Sequence, residues 1–165
     1  MESDIILNTF NNVTVEQKAV GEITGEVQLQ VPATNNDRTS RELFLVEGTN
    51  TVDIQMVSLD DYFSEQKVDF IKIDTEGFEP EVIEGAVQLI RRSHPVLLLE
   101  YSPMFYKKRG ITGEDMLETL VSEGYELKDI DANYGVIKDV QEYTAFILNQ
   151  GGGISNLLAT HQKSF

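Results

Sequence analysis

The chain has 165 residues, enough for one domain with a hydrophobic core, and 41% of them are hydrophobic. Its formal net charge is −15, and a surface of that sign repels the phosphates of nucleic acids and anionic lipids. The absence of cysteine excludes disulfides and thiolate chemistry, and two histidines are too few to favour a histidine-based triad or metal site. We therefore expect no nucleic-acid or membrane partner. Because the N-terminus lacks the basic start and long apolar core of a signal peptide, we expect a cytoplasmic location.

The first part of the chain predicts short strands separated by turns. Residues 26–31 alternate strictly between apolar and polar side chains, which is typical of an antiparallel strand with one buried face. A polar loop is predicted over Pro32–Arg41, and one helical turn over Asp60–Phe63. The predicted strands are Val13–Val20, Glu26–Val31, Glu42–Val46 and Val52–Leu59.

The centre of the chain predicts a strand, a helix and a second strand. Val68–Ile73 is a short apolar run rich in β-branched residues, and Val96–Leu99 is continuously apolar, as in a parallel strand that is covered on both faces. Between them, a helical periodicity begins at Pro80, a residue suited to the first position of a helix, and ends at Arg92. A parallel pair with this connection forms a right-handed βαβ unit, whose ligands bind beyond the carboxyl ends of the strands.

The remainder of the chain predicts one more helix and two closing strands. A turn alone separates the closing strands, so they should form an antiparallel pair at one edge of the sheet. Three glycines begin the last segment and favour a mobile tail. The predicted elements are a loop that contains the basic residues Lys107–Arg109, a helix between Thr112 and Gly124, strands over Tyr125–Ile130 and Tyr143–Leu148, and a tail over Gln150–Phe165.

These elements together predict an α/β fold with a single domain over residues 1–149 and a flexible tail over residues 150–165. We expect a mainly parallel sheet with an antiparallel C-terminal hairpin and an inserted β-hairpin. No G-x-G-x-x-G or P-loop pattern follows a strand, so no dinucleotide or phosphate cradle is assigned.

Three carboxylates follow the two central strands. Asp74 and Glu76 come after the first strand and Glu100 after the second, so they should meet at one edge of the sheet. Such a group could bind a cation, position a substrate hydroxyl or act as a general base. The alternative is structural: Glu76 and Glu79 would complement the positive end of the following helix, and Glu100 would be a solvated strand end.

Lys72 is the one charged residue within the first central strand. Because side chains alternate along a strand, Lys72 shares a face with Asp74. An ammonium group among apolar neighbours needs a partner, so we expect it to pair with Asp74 or Glu100 in a supporting role.

The stretch from Asp69 to Ala86, DFIKIDTEGFEPEVIEGA, resembles the FkbM family of methyltransferases. It carries the pattern I-K-I-D-x-E-G-x-E-x-x-V-x-x-G-A, and the resemblance extends over roughly residues 11–149. It implies a partial Rossmann-like methyltransferase sheet and transfer of a methyl group from S-adenosylmethionine to a hydroxyl. By this resemblance, Lys18 and Ala19 would lie near the adenine of the cofactor, and Asp74 and Thr75 near the transferred methyl.

The sequence departs from the family at its start. Members of the family begin with a strand, a glycine-rich loop, a helix and a second strand, and those elements hold most of the cofactor's methionine and ribose. The resemblance begins after them, which implies an incomplete cofactor pocket. It also implies an exposed edge on the strand Val68–Ile73, which a homodimer could cover.

Three functions follow from these observations. The first is an incomplete FkbM-like O-methyltransferase that acts on a hydroxyl of a sugar or small metabolite, with Asp74, Glu76 and Glu100 as catalytic candidates and no bound metal. The second is a self-associating binding module, derived from that fold, without enzymatic activity. The third is a metal-dependent hydrolase that uses the three carboxylates.

Overall fold

The computed structural model of the protein describes residues 11–30, 51–151 and 153–162. The strands are β1 (Ala19–Val20), β2 (Gly25–Gln30), β3 (Thr51–Val57), β4 (Phe70–Ile73), β5 (Val96–Tyr101), β6 (Tyr125–Asp129) and β7 (Ser155–His161). The helices are α1 (Leu59–Tyr62), α2 (Glu79–Glu84), α3 (Val87–Ser93), α4 (Pro103–Lys108), α5 (Gly113–Ser122) and α6 (Val140–Asn149). The strand expected at Glu42–Val46 and the loop expected at Pro32–Arg41 lie outside the described residues.

The described strands form two sheets. One has the order β1-β3-β2, and the other has the order β4-β5-β7-β6. β1 is parallel to β3 and β4 is parallel to β5, whereas the other three pairings are antiparallel. The mixed α/β class expected from the sequence is confirmed, although antiparallel pairings are more frequent than expected among these strands. The predicted strand over Val13–Val20 is reduced to the two residues of β1.

The C-terminal part of the chain corrects two predictions. Tyr143–Leu148, expected to be a strand, belongs to α6. The segment Gln150–Phe165, expected to be a mobile tail, contains β7, which lies between β5 and β6 in the middle of the sheet. The antiparallel partner of β6 is therefore β7, and the domain boundary expected at residue 150 falls immediately before a buried strand.

The larger sheet buries one face under its helices. Leu97, Leu99 and Tyr101 of β5 are fully buried and share one hydrophobic cluster with apolar residues of α2, α3, α5 and α6. On the opposite face, Leu98 of β5 is only half-buried, and Phe70 of β4 is 54% exposed. Because the helices cover a single face of this sheet, polar side chains at the strand ends can extend towards the opposite, less buried face.

The helix predicted from Pro80 to Arg92 is divided into α2 and α3 at Gly85. The carboxylate of Asp60, on α1, accepts hydrogen bonds from the backbone N–H groups of Gln88 and Leu89 and so caps the start of α3. A Cβ atom at residue 85 would lie 2.1 Å from the carbonyl oxygen of Gly21. Only glycine allows the turn after β1 to approach so closely, and this contact joins the smaller sheet to the helical layer.

Strand β4 lies at the edge of the larger sheet and pairs only with β5 among the described strands. The exposed edge expected from the sequence is thus present in the described part of the chain. Its coverage by a second copy of the chain stays a prediction. No helix in the described ranges has both the length and the apolar character needed to cross a membrane.

Candidate active site

The loop after β4 has an unusual backbone. Glu76 has a φ angle of 55° and Gly77 one of 105°, both in the left-handed region. For a glutamate this conformation costs free energy, and such residues persist where the surroundings enforce them. The loop that carries two of the predicted catalytic carboxylates is therefore held in place by its neighbours.

Glu79, at the start of α2, supplies most of that hold. Its side chain is fully buried, and its Oε1 atom accepts from the backbone N–H of Thr75 at 2.7 Å and from the Thr75 hydroxyl at 3.0 Å. Its Oε2 atom accepts from the N–H of Gly77 at 3.0 Å. The two backbone donors flank Glu76, so the carboxylate of Glu79 fixes the turn on both sides of the strained residue.

Arg109, after α4, holds the same loop from the other side. Its guanidinium donates to the backbone carbonyl of Gly77 and to the carboxylate of Glu81, and it lies 3.9 Å from the ring centroid of Phe78. The sequence predicted that this arginine lies in a loop together with Lys107 and Lys108. Instead, Lys107 and Lys108 end α4, and Arg109 connects that helix to the loop after β4.

Lys72 and Asp74 form the ion pair that alternation along the strand predicted. The Nζ atom of Lys72 lies 2.5 Å from Oδ2 of Asp74. Both side chains are substantially exposed, so the pair lies at the surface. The apolar surroundings expected from the sequence are not found. The pairing is confirmed, and it partly neutralises the edge of the sheet where the carboxylates gather.

Glu100 is the penultimate residue of β5 and lies beside these residues. Ile73 of β4 pairs with Leu99 of β5, so Asp74 and Glu100 leave neighbouring strands at the same edge. The pKa of Glu100 is raised to about 7, chiefly by burial and then by the negative charges of Glu79, Asp74 and Glu76, while the charge of Lys72 opposes the increase.

The backbone of residues 100–102 is fixed by Tyr106, which is fully buried. The Tyr106 hydroxyl accepts from the N–H of Ser102 at 3.1 Å and donates to the carbonyl oxygen of Glu100 at 3.3 Å. The side-chain atoms Glu100 Oε2 and Ser102 Oγ, in contrast, are shielded from solvent and have no hydrogen-bond partner. Among the described residues, these are the two buried side-chain polar atoms left without one.

A groove of about 480 Å³ separates the smaller sheet from the loop after β4. Lys18 and Ala19 lie on one wall and Thr75 on the other, so three of the four predicted cofactor-binding residues line one cavity. Asp74, the fourth, does not line it, and the ammonium of Lys18 pairs with Glu16 at 3.0 Å. The lining residues are Glu16, Gln17, Lys18, Ala19, Val20, Leu29, Ile54, Met56, Thr75 and Phe78.

The predicted catalytic residues form an electrostatic group but not a metal site. Asp74, Glu76 and Glu100 lie close enough for the first two to act on the pKa of the third. Within the described residues, however, no three histidine, cysteine, aspartate or glutamate side chains are arranged to hold a metal ion. This geometry does not support the metal-dependent hydrolase.

The sequence model of the methyltransferase FkbM domain matches residues 6–127, nearly three quarters of the chain. The chain belongs to the FkbM methyltransferase family. A search of curated proteins gives no significant match.

The fold of this FkbM family member is similar to that of a solved relative. The crystal structure of the FkbM methyltransferase from Methylobacillus flagellatus KT superposes with a TM-score of 0.53 and 17% sequence identity. The match covers 96% of the present chain and 32% of the other, so this chain spans about a third of its relative's length. At this level of identity the likeness concerns the fold alone.

Sequence reasoning missed three residues of the site. Glu79 was assigned only to the positive end of α2, and neither Ser102 nor Tyr106 was singled out. A glutamate two residues after a glycine turn gives some signal for Glu79, because such a side chain can fold back onto the turn. Nothing in the sequence indicates that the Ser102 hydroxyl is left without a partner, since that depends on packing around α4.

Proposed function

We propose that this FkbM family chain takes part in methyl transfer from S-adenosylmethionine to a hydroxyl group of a sugar or small metabolite. The observation that supports this most strongly is the position of Glu100. A half-buried carboxyl with a pKa of about 7, at the carboxyl edge of the sheet, is suited to accept a proton from a hydroxyl at neutral pH.

The cofactor would occupy the groove between the smaller sheet and the loop after β4. Its walls are mainly apolar, which suits a purine ring, and its volume of about 480 Å³ accommodates a ligand of nucleoside size. Ala19 and Val20 would hold the adenine, and Thr75 would lie towards the reacting end. When bound, S-adenosylmethionine supplies an electrophilic methyl group on a sulfonium centre.

The chain's own part in the reaction is to hold the acceptor and to take its proton. Glu100 accepts the proton of the hydroxyl as the oxygen becomes methylated. Glu79 positions the loop that carries Asp74 and Glu76. Burial, together with the charges of Glu79, Asp74 and Glu76, raises the pKa of Glu100 so that it can exchange a proton near neutral pH. The rest of the rate enhancement would come from alignment of the hydroxyl with the methyl group.

Calorimetric titration with S-adenosylmethionine tests the proposal. We expect binding with a dissociation constant of about 0.1–1 mM. Ala19→Leu narrows the groove and should weaken binding further, whereas Ala145→Leu, on the exposed side of α6, should not.

Three results are informative in different ways. Absence of binding at several millimolar cofactor would contradict the assignment of the groove. Equal effects of the two alanine substitutions would place the cofactor elsewhere. Micromolar binding would support the function and the assignment of the groove.

A further inference from the structure

A second groove, of about 610 Å³, lies between α2 and α5. Residues of the turn after β1 and of the connection between α4 and α5 complete its walls. It shares no lining residue with the groove that we assign to the cofactor. Its volume is in the range of cavities that bind ligands, and the proposed methyl transfer makes no use of it.

Part of the lining of this second groove is apolar. Ile83 of α2 and Met116 of α5 are buried members of the hydrophobic core. Val87 and Ile111, which also line the groove, remain partly exposed. A partner that covers them removes further apolar surface from water, which favours binding.

The charged part of the lining is acidic. Four carboxylates line the groove, and none of its described lining residues is a lysine, an arginine or a histidine. Arg109 neutralises one of these carboxylates, that of Glu81. The other three come from separate parts of the chain, namely Glu22 after β1, Glu84 on α2 and Asp115 on α5.

The net charge of the chain does not by itself explain this acidic lining. The cofactor groove is lined by one acidic and one basic residue, Glu16 and Lys18, and these two form an ion pair. The two grooves of one acidic protein therefore differ in charge, and the second attracts cations by its own composition.

Two of the three carboxylates are brought together by close backbone packing. A Cβ atom at residue 85 would lie 3.0 Å from the Cα atom of Glu22, so Glu22 lies against the end of α2 that carries Glu84. On the other wall, the hydroxyl of Thr112 donates to Oδ2 of Asp115 at 2.9 Å and holds that side chain. A cationic partner thus meets carboxylates that the fold has already positioned.

We propose that the second groove binds a basic amphipathic peptide segment of a partner protein. Apolar side chains of the segment contact Val87 and Ile111, and its lysines or arginines pair with Glu22, Glu84 and Asp115. This is the binding of an amphipathic segment in an apolar groove, with orientation set by charge complementarity. A small polyamine satisfies the carboxylates but leaves the apolar lining exposed, and an acidic segment is repelled.

Calorimetric titration with synthetic peptides tests the proposal without cofactor. The first peptide carries a pair of leucines between flanking lysines, the second has serines in place of the leucines, and the third has glutamates in place of the lysines. We expect the first to bind with a dissociation constant about three- to tenfold lower than the second, and the third not to bind. A rise in ionic strength from about 0.05 to 0.3 M should weaken binding of the first peptide severalfold.

Neutral substitutions that retain side-chain shape locate the site. The triple variant Glu22→Gln, Glu84→Gln, Asp115→Asn should weaken binding of the first peptide about five- to twentyfold, and Glu84→Gln alone about two- to threefold. The matched control is a triple variant with the same change in net charge at exposed glutamates outside the groove, and it should bind as the natural protein does. Its substitutions are Glu26→Gln, Glu65→Gln and Glu126→Gln.

Four outcomes would overturn the proposal. Equal weakening by the two triple variants would mean that the peptide responds to the charge of the whole chain. Equal binding of the leucine and serine peptides would remove the role of the apolar lining. Binding of spermine as tight as that of the first peptide would make the occupant a small polycation, and absence of peptide binding at about 1 mM would exclude the segment.

Discussion

Replacement of Glu100 by glutamine tests the electrostatic account of the site. The substitution retains the size and shape of the side chain but removes its ability to ionise. The pKa of Glu100 is raised from the usual 4.5 to about 7, chiefly by burial and then by the charges of Glu79, Asp74 and Glu76. Ionisation of this carboxyl therefore lowers the free energy of unfolding, and replacement by glutamine removes this loss.

The sign of the pH dependence follows from the two pKa values. Below pH 4.5 Glu100 is protonated in both the folded and unfolded states and contributes nothing. Between pH 4.5 and about 7 the unfolded state has lost the proton that the folded state retains, so the free energy of unfolding decreases as the pH rises. Above pH 7 the loss is complete.

The full pKa difference corresponds to roughly 3 kcal/mol, and exposure of part of the side chain to solvent reduces this to about 1–2 kcal/mol. We therefore expect Glu100→Gln to be more stable than the natural protein by about 1–2 kcal/mol at pH 8, relative to the difference between them at pH 5. Urea unfolding followed by circular dichroism at the two pH values measures this quantity.

The control for this experiment is Glu126→Gln, an exposed glutamate on β6 of the same sheet, for which the difference from the natural protein should be the same at both pH values. The reasoning is refuted if Glu100→Gln gives the same stability difference at pH 5 and pH 8, or if it becomes the less stable protein as the pH rises.

Three further predictions concern the loop, the junction of the sheets and the exposed edge. Glu79→Gln should lower the pKa of Glu100, measured by carbon-13 NMR, because it removes the neighbouring charge that raises this pKa most. It should also destabilise the fold by about 1–3 kcal/mol, because buried donors lose a charged acceptor. Gly85→Ala should destabilise by at least about 2 kcal/mol in urea unfolding, because its Cβ atom would lie 2.1 Å from the Gly21 carbonyl oxygen. If a second copy pairs along β4, light scattering should give a dimer, and Phe70→Asp a monomer.

Each of these has a matched control. Glu84→Gln, at an exposed position on the same helix as Glu79, should leave the pKa of Glu100 unchanged. Gly25→Ala meets no atom within 4 Å and should cost little. Val52→Asp, at an exposed apolar position of β3, should not change the oligomeric state. An effect of equal size in any control would contradict the corresponding explanation. If the natural protein is monomeric, the predicted pairing of two copies along β4 is wrong.

The central unit could be predicted from the sequence because its signals are local. The apolar runs that became β4 and β5 and the proline at the start of α2 each act within a few residues. The gathering of Asp74 and Glu100 at one sheet edge followed from the parallel pairing alone. The break between α2 and α3 could not be predicted in this way, since Asp60 caps α3 from a distant part of the chain.

The sequence contains signals that would have predicted α6 correctly as a helix. Val140, Tyr143, Thr144 and Ile147 are buried and recur at the spacing of one helical face. Asp139 precedes them and accepts from the N–H of Glu142 at 2.8 Å, which is the N-cap arrangement. The β-branched and aromatic content of the segment favoured a strand, but periodicity and capping decide between the two.

The state of Glu100 illustrates what local patterns cannot give. Its position at the strand end was predicted, but its pKa depends on burial and on the charge of Glu79, whose carboxylate is fully buried in the folded protein. Likewise, the lack of a hydrogen-bond partner for the Ser102 hydroxyl is a property of the folded protein and has no local signal in the sequence.

The position of β7 has a consequence for synthesis of the protein on the ribosome. β6 is translated before β7, yet the larger sheet places β7 between β5 and β6. Until Ser155–His161 is synthesised, neither β5 nor β6 can pair with its antiparallel neighbour. The apolar side chains of Leu97, Leu99 and Leu127, which are buried in the folded protein, then lie on strands that lack this neighbour. Nascent chains that stall before residue 155 would therefore present two unpaired strand edges to chaperones and to one another.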